Sequence, residues 1–141
     1  MKTVRIIKEE KGASAVEFAI LLPLFLLIVF GIIEWGLYLF NDHIITDASR
    51  RGARLGILQA SPRISVADIR TEVLTYANDN LVTFGIRTPP QIDVPAICTT
   101  FGDDLAVNVS YNYTFLLLPA LTAGKVAPSK TITARTVMKC E

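Results

Sequence analysis

The chain has 141 residues, room for one domain of ordinary size, and 51% of them are hydrophobic, just above the range usual for soluble proteins. Its formal net charge is +1, and no basic tract interleaves with aromatics over a length that could track a phosphate backbone, so nucleic acid is not an expected partner. No nucleophile stands with a base at a recognisable spacing, and no further ligands surround Asp103-Asp104; the sequence therefore predicts neither an enzyme nor a cofactor or metal.

The apolar excess is concentrated near the amino end. No charge occurs from Phe18 to Ile33, and if Glu34 is allowed near the far interface the run continues through Phe40. That is about 23 residues, against the roughly 20 a helix needs to cross about 30 Å of hydrocarbon, so one span in the lipid bilayer is expected. Lys2, Arg5, Lys8 and Lys11 precede it and outweigh Glu9 and Glu10, which predicts a cytoplasmic amino end and an outward carboxyl part. A removable secretory signal has a shorter core, of about 7 to 15 residues, followed by a small-residue cleavage site. No such site follows here before Asn41-Asp42-His43.

A candidate processing point lies ahead of the run, in Lys11-Gly12-Ala13-Ser14-Ala15-Val16-Glu17-Phe18. A cut after Gly12 would leave the membrane helix on the mature chain and give Ala13 a new ammonium at the membrane boundary. Glu17 then acquires a meaning. An ionisable side chain in hydrocarbon costs roughly 2.5 to 3.5 kcal/mol and is tolerable when paired. Glu17 can neutralise the new amine on an adjacent subunit or on its own chain, a requirement that favours one axial register in an assembly. The other reading is that Glu17 snorkels to the cytoplasmic headgroups.

Beyond the span the helical pattern persists. Ile44, Ile45, Ala48, Gly52, Leu55, Gly56 and Leu58 recur at helical spacing, which predicts one helix from about Ala13 to about Gln59. Pro23 cannot donate to the carbonyl of Ala19, so a bend or a local melt is expected there. Ala48, Gly52 and Gly56, four apart, form a ridge without bulk that a sheet or a second helix can approach closely. Trp35 and Tyr38 beside Glu34 read as an aromatic belt at the outer interface. The lone His43 reads as solvated.

Ser61-Pro62 closes the long helix, and Ser65-Val66-Ala67-Asp68 has the form of a capped start. Val66, Ile69, Val73, Leu74, Ala77 and Leu81 then mark a second amphipathic helix to about Asn80. The period changes to two from Leu105 to Tyr113, a strand with one buried face. Gln91 to Cys98 reads as a strand interrupted by Pro95, joined to the next by a turn at Gly102-Asp103-Asp104. Lys130 to Cys140 reads as the last. Three such strands need a cover for their apolar face, and the outer half of the long helix is the nearest.

Cys98 and Cys140 are an even pair in a domain placed outside the cytoplasm, which favours a disulfide; two buried free thiols are the alternative. By strand parity they share a face with Ile92, Val94, Ile132 and Met138, and a bond would tie the last strand to the first.

The motif Gly12-Ala13-Ser14-Ala15-Val16-Glu17-Phe18, then Pro23, Gly31-x-x-Glu34-x-Gly36 and Ala48-x-x-x-Gly52-Ala53-Arg54, resembles the amino-terminal half of TadE-like proteins, minor pilins or pseudopilins of the tight adherence (Flp, type IVb) pilus. The resemblance covers Gly12 to about Gly56. It implies cleavage after Gly12 by a prepilin peptidase, with Glu17 the fifth residue of the mature chain, and assembly through the first helix, where Glu17, Pro23, Gly31 and Glu34 lie. Implied partners are the major Flp pilin, related minor pilins and the inner-membrane assembly platform. Major Flp pilins are little more than the helix, so the added domain from Ser61 to Glu141 favours a minor pilin. The expected fold is α+β and pilin-like. A leader, 1–12, precedes a long helix, 13–60, that spans the bacterial inner membrane to about residue 40; a periplasmic domain, 61–141, adds a second helix and a three-stranded antiparallel sheet. A membrane-anchored periplasmic binding module that never enters a filament is the other functional class.

Overall fold

One helix of 48 residues, α1 (Glu10–Ile57), organises the molecule. The computed structural model describes residues 10–84 and 87–141. Lys2, Arg5, Lys8 and Glu9, on which the expected orientation rests, lie outside the described residues, as do the side chains of Glu10 and Lys11. At about 1.5 Å per residue α1 is about 72 Å long, far more than a domain of this size can cover. It divides at Glu34. From Gly12 to Ile20 every residue is exposed, and Leu24, Phe25, Ile28 and Ile32 extend that apolar surface toward the domain. From Glu34 onward a stripe of Glu34, Tyr38, Asn41, Ile45, Ala48, Ser49, Gly52, Ala53 and Gly56 is buried. Its three- and four-residue steps are those of one helix face. The helix is continuous through Pro23, so the local melt expected there does not occur.

The domain packs around this outer half. α2 (Val66–Asn80) starts at Ser65, whose hydroxyl receives the Asp68 N–H while the Asp68 carboxylate receives the Ser65 N–H, a reciprocal cap. α2 buries Ile69, Val73 and Ala77. The sheet has the order β1-β2-β3, with β1 Gln91–Asp93, β2 Asp104–Thr114 and β3 Ser129–Lys139, all antiparallel. Leu105, Val107, Val109, Tyr111 and Tyr113 of the central strand face inward, as the alternation predicts. A short third helix, α3 (Leu117–Leu121), lies between β2 and β3 and packs on α1.

The first strand is shorter than its sequence reading. β1 ends at Asp93, because Val94-Pro95 cannot continue the ladder, and a ten-residue connection replaces the expected hairpin turn. Its tip is a turn closed by Asp103, whose carboxylate accepts from the hydroxyls of Thr99 and Thr100 and from the Thr100 N–H. The Thr100 hydroxyl and N–H, then Thr99, hold the Asp103 carboxyl down at about 2. Gly102 takes a φ of 88° there, a conformation that favours glycine. Cys98 and Cys140 are bonded, with Cα atoms 5.7 Å apart. Since Cys98 lies beyond β1, the bond ties the β1–β2 connection, and not the first strand itself, to the end of β3. Backbone bonds from Gly102 to the Cys140 carbonyl (3.0 Å) and from Cys140 to that of Asp103 (2.8 Å) continue the β2–β3 ladder beside it.

Candidate assembly site

The helix that carries Gly12 and Glu17 is held to the domain by three buried polar side chains. Glu34, Asn41 and Ser49 are 1%, 0% and 0% exposed. Their spacings of about two turns set them on one face, and each reaches a different element. The Asn41 amide donates to the Val82 carbonyl (2.6 Å) and accepts from the Val82 N–H (3.0 Å), clamping the chain just after α2. Ser49 donates to the Thr46 carbonyl (2.9 Å) and shares a 2.6 Å bond with the Thr136 hydroxyl on β3. Sequence reading places Asn41 in a charged boundary and passes over Ser49. The recoverable signal is their register with Ala48 and Gly52.

Glu34 differs most from expectation. Its side chain is buried in the domain and not exposed beside Trp35. Its carboxylate accepts backbone N–H groups from Leu116, from Leu117 (3.0 and 3.2 Å) and from Leu118 (2.7 Å), the chain entering α3. These donors have no partner inside so short a helix, and the start of a helix favours negative charge. Leaving each donor buried and unpaired would cost about 1 to 3 kcal/mol, and an unpaired carboxylate there as much again. Each therefore makes the other tolerable. Burial, and then the Glu34 charge, push the Tyr113 hydroxyl above its ordinary value.

The aromatics beside Glu34 divide in the same way. Tyr38 is core, 8% exposed, stacked on Phe115 and edge-on to Tyr113. Trp35 keeps 46% of its surface, lies parallel to Phe115 and is covered in part by the Lys130 ammonium, 5.2 Å from its ring centre. Only Trp35 remains placed as a belt residue would be.

Close approach on the outer half depends on missing side chains. A Cβ on Gly52 would collide with the Val73 methyl and press on Ile69 at 3.3 Å and Val107 at 3.4 Å. One on Gly56 would collide with Leu105 and come within 2.7 Å of Ile69. At Gly52 and Gly56 the expected ridge thus meets α2 on one side and β2 on the other, and Ala48 is buried. Gly31 has a looser neighbour, with Leu118 at 3.6 Å from the position of its absent Cβ, and Gly36 has open space.

The residues expected to serve processing and assembly are disposed differently. Gly12, Ala13, Glu17, Phe18 and Pro23 are all exposed on the inner half of α1. Among the described residues no hydrogen bond or ion pair reaches Glu17. His43 is exposed, Asp104 pairs with Lys139 at 2.8 Å, and among the described residues no cluster of His, Cys, Asp and Glu is placed to hold a metal.

These features define an α+β protein built on one long helix, whose outer half is the spine of the domain and whose inner half is a bare apolar rod, one candidate membrane span. Residues 12–54, the rod and most of the spine, match the family model described as TadE-like protein, and in that helix the chain is similar to TadE-like proteins. No curated protein and no solved structure matches the chain.

Proposed function

We propose that this chain is a minor pilin, or pseudopilin: a non-enzymatic structural subunit for assembly of a tight adherence pilus. The carrying observation is the exposed inner half of α1, where Phe18, Ile20, Leu21, Leu24 and Phe25 each keep 59% or more of their surface beside a carboxylate that the rest of the described fold leaves alone. An apolar surface of that extent is a membrane or protein contact. Two observations further support the reading: the TadE-like match covers this same half, and Gly12 is followed five residues later by Glu17.

On this reading the prepilin peptidase cuts after Gly12, and the chain rests in the inner membrane with its amino end cytoplasmic and its domain periplasmic. It joins the major Flp pilin and related minor pilins at the assembly platform, with Glu17 pairing the Ala13 ammonium of a neighbour. Glu17→Ala removes a polar cost of insertion, so it leaves membrane recovery unchanged while lowering co-purification with pilin partners. Unchanged co-purification would favour the membrane-anchored binding module over the filament subunit.

A further inference from the structure

We propose that α3 and its flanks form a second membrane element, a short segment seated in the outer leaflet against α1 and sealed by Glu34. The inference rests on α1 spanning the bilayer, and it concerns a part of the chain outside the TadE-like match. Depth carries it. With Phe18 at the inner boundary, about 1.5 Å per residue sets Gly31 about 20 Å and Glu34 about 24 Å into a core about 30 Å thick. Any tilt of the helix lowers both. Leu118 packs at 3.6 Å from the Cβ position of Gly31, and the N–H groups of Leu116, Leu117 and Leu118 converge on Glu34. The tip of this segment therefore lies below the outer boundary of the hydrocarbon.

Composition and backbone both suit that place. Leu116 and Leu121 are 51% and 40% exposed, on the surface that would face acyl chains, and Leu117-Leu118-Pro119-Ala120 between them carries no charge. Irregular backbone survives at membrane depth only where its polar groups are satisfied by protein. Glu34 satisfies the entering N–H groups, while at the far end the Thr122 N–H and hydroxyl both bond the Leu118 carbonyl (3.0 and 2.6 Å) and the Gly124 N–H bonds that of Pro119 (2.8 Å). Beside Glu34 in sequence, Trp35 lies under the Lys130 ammonium, an amphipathic ring with a long cationic stem that can reach a headgroup boundary. The apolar hollow lined by Ile28, Gly31, Ile32, Trp35 and Leu118 joins α3 to the exposed apolar residues of the rod. Lipid acyl chains are the occupant this face fits.

Trp35 is the sole tryptophan, so single-tryptophan reporters are available. The full chain is reconstituted in phosphatidylcholine vesicles as Trp35→Phe with either Leu121→Trp on α3 or Ile28→Trp on the span, and each is read against lipids brominated on their acyl chains. The proposal expects both reporters to emit at short wavelength and to lose most of their emission to the brominated lipid. Quenching at position 28 without quenching at position 121 overturns it, whether water or a second copy covers α3. Quenching at neither overturns it together with the membrane span. Protection of the two cysteines from alkylation without reductant verifies the fold of each variant.

Discussion

Glu34 shows how a side chain's meaning can depend on residues far from it in sequence. Its carboxylate serves Leu116, Leu117 and Leu118, more than eighty positions away, so neither its burial nor its partners were legible from the local pattern of Ile33-Glu34-Trp35. Glu34→Ala should leave those donors unpaired and weaken the local closure by on the order of 3 kcal/mol, about a hundredfold in opening equilibrium. Glu34→Gln keeps one acceptor and should fall between. Amide exchange at Leu116–Leu118 in the full chain is the measurement; equal protection in all three proteins would contradict the pairing. The glycines give a second residue-scale contrast, and here the four-residue spacing did announce the ridge. Gly52→Leu must displace Val73 and Ile69 and should cost about 1 to 3 kcal/mol or more of domain stability, whereas Gly36→Ala meets open space and should be neutral or gain up to about 1 kcal/mol of helix propensity. Thermal unfolding of the two variants separates them, and an equal loss in both would mean that packing at Gly52 is not what limits its size.

Legibility at the scale of elements followed regularity. α1, α2, β2 and β3 each run long enough for their period to show, and each was placed within a few residues. β1 was overextended because Ile92, Val94 and Ile97 are apolar without being paired throughout; Pro95 ends the ladder and the disulfide takes over the restraint. α3 is not legible in the sequence, since five residues are too few to display a helical period. The Cys98–Cys140 bond closes a separation of 42 residues, and the chain-entropy model assigns such a loop about 4 kcal/mol. Replacing both cysteines with serine should therefore lower the denaturation midpoint and the protease resistance of the domain while sparing the apolar inner half of α1. Full alkylation of both thiols in protein taken directly from the envelope, denatured without reductant, would show that the bond does not form there.

For the molecule as a whole, the two halves of α1 divide the labour. The outer half is committed inward, with small residues against α2 and the sheet and buried polar groups fixing Val82, β3 and α3. The inner half meets the domain near Glu34, where Gly31 approaches Leu118, and the described fold leaves Glu17 and the apolar surface around it exposed. That division, with a glycine at the start of the rod, supports the proposal that cutting after Gly12 creates an amine for Glu17 to pair and so makes the chain an assembly subunit. The intact mass of the membrane form, with amino-terminal sequencing, tests it most directly. The account predicts a mature chain that begins at Ala13, and a Gly12→Leu variant that is not cut; a full-length membrane form that retains Met1 in the presence of the peptidase would contradict it.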